Sequence, residues 1–217
     1  IGLSGGLDST LALMITSNAM KMLGRPSTDI VTLTMPCFGT TDRTRDNATK
    51  LGELLGTTFR RVDIGEAVMQ HFADIGHDPS DHSTTYENCQ ARERTQVLMD
   101  IANKNGGLVI GTGDLSELAL GWCTYNGDHM SMYAVNCSIP KTLVRHLTHY
   151  VSDLNRESNP ELSAVLDDVL ATPVSPELLP TTEDGQMTHF TEDLVGPYEL
   201  HDFFLYYAIR CAFPPKK

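Results

Sequence analysis

The segment Ser4-Gly5-Gly6-Leu7-Asp8-Ser9-Thr10 places two glycines, three hydroxyl side chains and a carboxylate at the start of a helical pattern. Adjacent glycines let the backbone come close to an anion, and the amides of a helix start face it with the positive end of the helix dipole. We therefore expect the segment to bind phosphate. It is not a Walker A loop, because no Gly-Lys-Ser/Thr follows, and it lacks the G-x-G-x-x-G of dinucleotide-binding folds.

Asp8 is the unusual member of this loop. A carboxylate there would repel a phosphate unless a cation bridged the two, so we expect Asp8 to bind Mg²⁺. The alternative is structural: Asp8 caps the helix and the glycines form a tight turn.

A second glycine-rich segment, Gly111–Asp128 (GTGDLSELALGWCTYNGD), follows the short apolar run Leu108–Ile110. If both segments lie at one edge of a sheet, Glu117 faces Asp8 across a cleft and completes the metal site. Alternatively, Glu117 is an ordinary acidic residue in the first turn of a short helix.

Alternating helical and β-branched patterns precede and separate these segments. The predicted elements are helices 8–23, 44–55 and 87–103 and strands 30–35, 59–64 and 108–110, with Ile1-Gly2 as the end of a further strand. Such alternation predicts an α/β fold, a doubly wound parallel sheet with helices on both faces and ligands at the carboxyl ends of the strands.

The C-terminal third has a different pattern, with predicted helices over 141–157, 161–170 and 199–213. The Pro-rich stretch 172–197 is long for a loop without structure, so we expect a lid or a partner-facing arm. Residues 1–217 are expected to form a single domain, cut from a longer polypeptide at both ends.

Composition limits the partners. The 16 basic and 28 acidic residues give a net charge of −12, which disfavours nucleic acid, and no apolar run approaches the roughly 20 residues that span a membrane. We expect a cytoplasmic protein. The five scattered cysteines contain no CxxC pair and are expected to be reduced, buried thiols.

The SGGxDS pattern resembles the signature of the N-type ATP pyrophosphatases, which have the adenine nucleotide alpha-hydrolase-like fold and include NAD, GMP, asparagine and argininosuccinate synthetases. The Gly111–Asp128 segment is similar to that of NAD synthetases of the long, glutamine-dependent type. So are TMPCFGTTDRT (34–44), TYENCQARERTQVLMDIAN (85–103), NCSIPKTLVRHL (136–147), SPELLP (175–180) and TEDLVGPYELHDFFLYYAIR (191–210).

The resemblance implies roles for individual residues. ATP contacts are implied for Ser4, Gly5, Gly6, Asp8, Ser9, Met35, Thr112, Lys141 and Ser175. Deamido-NAD contacts are implied for Asn88, Arg92, Glu117, Trp122, Cys123, Thr124 and Tyr125. Mg²⁺ ligands are implied at Asp8 and Glu117, and the residues expected to take part in catalysis are Asp8, Lys141 and Asp128.

Several of these roles have plain alternatives. Lys141 and Arg92 suit phosphate charge but fit solvated helix positions as well, and Trp122 and Tyr125 offer flat faces to a pyridine or adenine ring but fit a core. Asp128 is a candidate for binding ammonium or accepting its proton, or else belongs to a structural Gly-Asp turn.

The resemblance implies ATP-dependent amidation of deamido-NAD to NAD through an NAD-adenylate, with release of AMP and pyrophosphate. The partners implied are ATP as co-substrate, deamido-NAD, ammonia from a fused glutaminase domain, and further copies in a homo-oligomer. The alternatives are another adenylating amidotransferase, such as a GMP synthetase, or a regulatory module that holds ATP without turnover.

Overall fold

The computed structural model describes residues 1–173, 178–179, 191–214 and 216. The helices are α1 Leu7–Met22, α2 Asp42–Leu54, α3 Gly65–Ile75, α4 Thr84–Asn105, α5 Leu115–Leu120, α6 Lys141–Asn155, α7 Pro160–Leu170, α8 Thr191–Val195 and α9 Tyr198–Leu205. The strands are β1 Val31–Thr34, β2 Thr58–Arg61, β3 Ile110–Gly111 and β4 Tyr133–Ala134.

Every strand pair in the described part of the chain is parallel. β1 pairs with β2 from Val31 opposite Thr58 onwards, and β3 pairs with β4. On the other side of β1, the amino-terminal segment forms a parallel bridge, in which Leu3 N donates to Leu33 O over 2.7 Å and Leu33 N donates to Ile1 O over 2.9 Å. The predicted α/β class with parallel strands is confirmed.

Two apolar clusters cover opposite faces of these strands. Ile1 and Leu3 point into a cluster with α1, α2, α6 and α7, whereas Gly2, between them, lies against Leu98 of α4. Leu33 belongs to the second cluster, with α3 and α4. Successive residues of a strand point to opposite faces, so the sheet is covered on both sides.

The helical predictions fit α1, α2, α4, α6 and α7 within a few residues. Three differences stand out. The helix α3 was not predicted, although Val68 and Phe72, four residues apart and buried, mark its inner face. The helix expected over 199–213 is shorter: its α-helical part, α9, ends at Leu205, and a π-helical turn, Tyr206–Arg210, follows it. The stretch 172–197 contains the short helix α8, and residues 174–177 and 180–190 lie outside the described part.

The expectation that all cysteines are buried holds only for Cys89. All five are free thiols, but Cys37 and Cys211 are half-buried, and Cys123 and Cys137 are exposed because they lie in the loops that follow α5 and β4. None of the described helices is both long enough and apolar enough to cross a bilayer.

Candidate active site at the ends of the parallel strands

The first glycine-rich loop is fixed by its backbone. Gly5 has φ +85°, and a Cβ at this position would lie 2.0 Å from the carbonyl oxygen of Thr44 in α2, so only glycine fits. Ser4 Oγ accepts from Gly6 N over 3.1 Å and lies 3.1 Å from Ser9 Oγ. Gly6 is the N-cap of α1 and has no side chain to bond the first amides of the helix, which leaves them for an anion.

The second loop carries a capping box. Asp114 is the N-cap of α5, its Oδ1 accepts from Glu117 N over 2.9 Å, and Glu117 Oε2 accepts from Asp114 N over 3.4 Å. Reciprocal bonds of this kind hold both carboxylates in one orientation.

Lys141, the first residue of α6, joins the two loops. Its Nζ lies 2.6 Å from Asp8 Oδ2, 2.7 Å from Asp114 Oδ2 and 2.8 Å from Glu117 Oε1, and the side chain is only 4% exposed. The carboxylate oxygens of the three acids lie within 4.8 Å of one another. We call these four residues the carboxylate–lysine cluster.

Burial dominates the protonation behaviour of the cluster. Loss of solvent raises the pKa of Asp8 to about 8, and Glu117 and Asp114 add to this increase while Lys141 opposes it. Burial also raises the pKa of Glu117. For Lys141, burial by itself lowers the pKa, but the three neighbouring carboxylates outweigh it, so the pKa lies above its usual range and the ammonium stays charged.

Two residues around the cluster belong to neither loop. Asn136 Nδ2 donates to Asp8 O and to Thr112 O, both over 3.0 Å, and so ties the two loops together. Tyr198 of α9 places its ring 5.4 Å from Lys141 Nζ. A cavity of about 630 Å³ opens between α6, α8 and α9, with Lys141 and Tyr198 in its wall.

The segment 122–128 follows α5 and lies against α4 near Ala91 and Arg92. Arg92 Nε donates to Tyr125 O over 3.1 Å. Gly127 lies so close to α4 that a Cβ would be 2.9 Å from Ala91 Cβ. Tyr125 is 73% exposed. We call this segment the acceptor loop, after the substrate that sequence resemblance assigns to it.

The comparisons with known proteins agree on one family. The family model described as NAD synthase matches residues 1–207. The chain belongs to the NAD synthase family. It is 46% identical over 222 aligned residues to the glutamine-dependent NAD(+) synthetase of Mycobacterium bovis, and 33% identical to that of Acinetobacter baylyi, covering 100% and 97% of this chain. The chain spans about a third of the length of these relatives, 32% and 36%.

Solved structures of NAD synthase relatives have the same fold. The glutamine-dependent NAD+ synthetase from Acinetobacter baumannii, in complex with adenosine diphosphate, is 29% identical with a TM-score of 0.68, over 98% of this chain and 35% of that one. The NMN synthetase from Francisella tularensis is 26% identical with a TM-score of 0.71, over 94% of this chain and 74% of that one.

Among the residues predicted from the NAD synthase resemblance, Asp8, Glu117 and Lys141 are brought into direct contact. The alternative that Lys141 occupies a solvated helix position is therefore wrong. The alternative of a core position is wrong for Tyr125, whereas Trp122 is half-buried. Arg92 is exposed and Asn88, one helical turn before it on α4, is half-buried. These placements leave the individual roles as predictions.

Two of the remaining predicted residues directly follow strands, Met35 after β1 and Thr112 after β3. Thr112 is joined to Asp8 through Asn136, and Met35, at the end of β1, is 8% exposed with its carbonyl bonded by Arg94 Nε. Ser175 lies outside the described residues.

Asp128 is held by its own loop. Its Oδ1 accepts from the hydroxyl and, over 3.4 Å, from the backbone amide of Thr124, and its own amide donates to Thr124 Oγ1 over 3.3 Å. This turn fixes the Asp128 carboxylate, which fits the structural alternative and leaves the catalytic role a prediction. Partial loss of solvent raises the pKa of the Cys123 thiol, and the negative charges of Asp128 and Glu117 add to the increase.

Sequence reasoning missed Asp114, Ser116, Asn136 and Asp202. The spacing of Asp114 and Glu117, an N-cap acid followed three residues later by Glu, is a capping-box signature and was available from the sequence. Asn136 and Asp202 carried no local signal, because their partners are 24 to 128 and 60 to 86 residues away.

Proposed function

We propose that this chain is the ATP-using part of a glutamine-dependent NAD synthetase, which converts the carboxylate of deamido-NAD into the carboxamide of NAD. The proposal rests on the buried Lys141 ammonium, bonded to acids from both glycine-rich loops, in a member of the NAD synthase family. A module that merely holds ATP has no need to gather four charged groups where two, Asp114 and Lys141, are buried and two are half-buried, since removal of charge from water is costly.

The charges of the cluster suit a divalent cation. Three carboxylates and one ammonium carry −3 + 1 = −2 when ionised. Asp8 Oδ1 is buried and has no hydrogen-bond partner among the described residues, so one carboxylate oxygen is available as a ligand. Asp8 and Glu117, with Asp114, are the residues that would hold Mg²⁺, whose chemistry there is to neutralise phosphate charge.

The chain itself supplies binding and orientation for the first step. The amides at the start of α1 and the Ser4 and Ser9 hydroxyls bind ATP phosphates, and Lys141 stabilises the negative charge that develops on the leaving group. A carboxylate oxygen of deamido-NAD attacks the α-phosphorus, the bond to the bridging oxygen of the β-phosphate breaks, and pyrophosphate leaves. The product is an acyl adenylate.

In the second step ammonia attacks the acyl carbon, the bond to AMP breaks, and nitrogen loses a proton as the amide forms. No side chain forms a covalent bond, so no nucleophilic triad is needed. Asp128 is proposed to bind ammonium or accept its proton. The acceptor loop, with Asn88 and Arg92, is proposed to bind deamido-NAD.

The partners follow from the same proposal. In the whole protein ammonia comes from glutamine through a glutaminase domain, consistent with relatives that are about three times longer than this chain. Assembly into a homo-oligomer and a cytoplasmic location stay predictions.

The deciding experiment measures pyrophosphate release from MgATP with deamido-NAD and ammonium chloride, in the wild-type chain, in Asp8→Asn and in Asp168→Asn. Asp168 is a matched control, since its carboxylate also pairs with a cation, Arg43 over 2.7 Å, but this pair joins α7 to α2 and is not part of the carboxylate–lysine cluster. We expect release that requires deamido-NAD, is lost in Asp8→Asn and persists in Asp168→Asn.

Two competing acceptors sharpen the assay. Nicotinate mononucleotide is the informative one, because a structural relative is named NMN synthetase. Xanthosine monophosphate tests the GMP synthetase alternative. Faster release with either acceptor than with deamido-NAD would overturn the proposed substrate, and ATP binding without release under any condition would favour the regulatory module.

A further inference from the structure

The helix that carries Lys141 lacks a local N-terminal cap. The residue before Lys141 is Pro140, whose side chain makes no capping hydrogen bond. The first amides of a helix have no partner within it, and a buried amide left unbonded costs free energy. A lysine at this position is also disfavoured by the positive end of the helix dipole.

Two residues from other helices take the place of the missing cap. Ser116 Oγ, from α5, accepts from the backbone amide of Lys141 over 2.9 Å. Asp202 Oδ2, from α9, accepts from the backbone amide of Thr142 over 2.8 Å. The Ser116 hydroxyl then donates to Asp202 Oδ1.

Both capping side chains are buried, Ser116 at 0% and Asp202 at 7% exposure, so water is not an effective substitute. The Asp202 carboxylate places a negative charge at the positive end of α6, which offsets the unfavourable position of the Lys141 ammonium. Ser116 directly precedes Glu117 in the chain, so the same bond also sets the distance between Glu117 and Lys141.

We propose that Ser116 and Asp202 are positioning residues that form a tertiary cap on α6, and that docking of α9 thereby holds Lys141 in the carboxylate–lysine cluster. The inference deepens the proposed function and rests on it for the role of Lys141 toward ATP. Neither residue touches the reacting atoms; both act through the backbone of α6.

The first test is a double-mutant cycle on the dissociation constant of MgATP, measured by calorimetry for wild type, Ser116→Ala, Lys141→Met and the double variant. If Ser116 acts through Lys141, its removal weakens binding about five- to tenfold in wild type and has no further effect once Lys141 is gone. Additive losses would overturn the proposal. A wild type that binds no MgATP would instead contradict the proposed function.

Ser163→Ala is the matched control. Ser163 is also a buried serine against α6, 4% exposed, but its hydroxyl lies 2.9 Å from Ser152 Oγ near the other end of that helix. We expect a similar loss of stability but MgATP binding within twofold of wild type. An effect on binding equal to that of Ser116→Ala would mean that Ser116 is merely structural.

Amide hydrogen exchange tests the cap independently of ATP. In wild type we expect the amides of Lys141 and Thr142 to be protected, because each donates to a buried side-chain oxygen. We expect Ser116→Ala to raise the exchange rate of the Lys141 amide at least tenfold, and Asp202→Ala to raise that of the Thr142 amide by as much. Asp202→Asn keeps an acceptor for Thr142, so its amide should stay protected. Unprotected amides in wild type would overturn the cap whatever the outcome with ATP.

Discussion

The carboxylate–lysine cluster and the acceptor loop lie next to each other but are built in opposite ways. In the cluster, side chains from three separate segments bond one another in a nearly closed space, and Lys141 is 4% exposed. In the acceptor loop, Asp128 bonds Thr124 four residues away, Arg92 bonds a backbone carbonyl, and Tyr125 is 73% exposed.

Under the proposed function, this difference separates two tasks. Handling of phosphate charge needs preorganised groups in a space of low dielectric, and the fold supplies them before any ligand binds. Recognition of a large acceptor needs accessible side chains, which gain their partners when the ligand arrives. Substitutions in the cluster should therefore affect the rate and stability, and substitutions in the acceptor loop should affect affinity.

The largest effect is expected for Lys141→Met. Loss of the ammonium leaves three carboxylates uncompensated, Asp114 buried and Asp8 and Glu117 half-buried. Pyrophosphate release should therefore fall at least about a hundredfold and the free energy of unfolding by about 3–5 kcal/mol. Turnover assays and thermal melts with and without Mg²⁺ measure both, and Mg²⁺ should restore part of the stability. Lys104→Met is the control, because Lys104 is exposed at the end of α4; a comparable rate loss there would contradict the special position of Lys141.

A pair of glycine substitutions compares the two regions in stability. Gly5→Ala places a Cβ 2.0 Å from a backbone oxygen at φ +85°, so we expect at least about 3 kcal/mol of destabilisation. Gly121→Ala, between α5 and the acceptor loop, has φ +66° with nothing within 4 Å, so only about 1 kcal/mol is expected. Urea unfolding measures both losses of unfolding free energy. Equal losses for the two variants would mean that the first loop is not held against α2 as described.

Mg²⁺ affinity should depend on pH through the cluster. Because burial raises the pKa of Asp8 to about 8, a proton must leave that carboxyl before a cation binds, so affinity rises with pH up to about 8 and then levels off. Release of one proton on binding raises the Mg²⁺ affinity by up to about tenfold for each pH unit. Titration calorimetry from pH 6 to 9 measures this dependence, and Asp8→Asn should weaken it to what Glu117 contributes. A flat profile in wild type would contradict the raised pKa.

The smallest of these effects is expected in the acceptor loop. Arg92→Ala should raise the KM for deamido-NAD about tenfold, because one charge-assisted hydrogen bond to the substrate is lost. The kcat should stay within about twofold of the wild-type value. Arg60→Ala is the control for the loss of a positive charge, because Arg60 is an exposed arginine on β2. A fall in kcat with unchanged KM would place Arg92 with the cluster rather than with the acceptor.

Features that depend on residues close together in the sequence were predicted better than features that depend on distant residues. The helices α1, α4, α6 and α7 and the two glycine-rich loops were predicted, because an apolar period and a turn residue are local properties of the chain. The contact between Asp8 and Glu117 required that both loops reach one sheet edge, which the α/β alternation implied. The exposure of Cys123 and Cys137 was missed, because a cysteine has no local pattern that tells a buried position from a turn.

The sequence by itself therefore determined the parallel α/β fold, the glycine-rich loop at the start of α1 and, through its resemblance, the family. Tertiary structure alone decided that Lys141, 133 residues from Asp8 and 24 from Glu117, is buried between them. It also decided that Asn136 joins the two loops and that Asp202 of α9 caps α6. The reason is physical: a polar side chain has the same local pattern whether water or a distant carboxylate satisfies it, and only packing decides which one does.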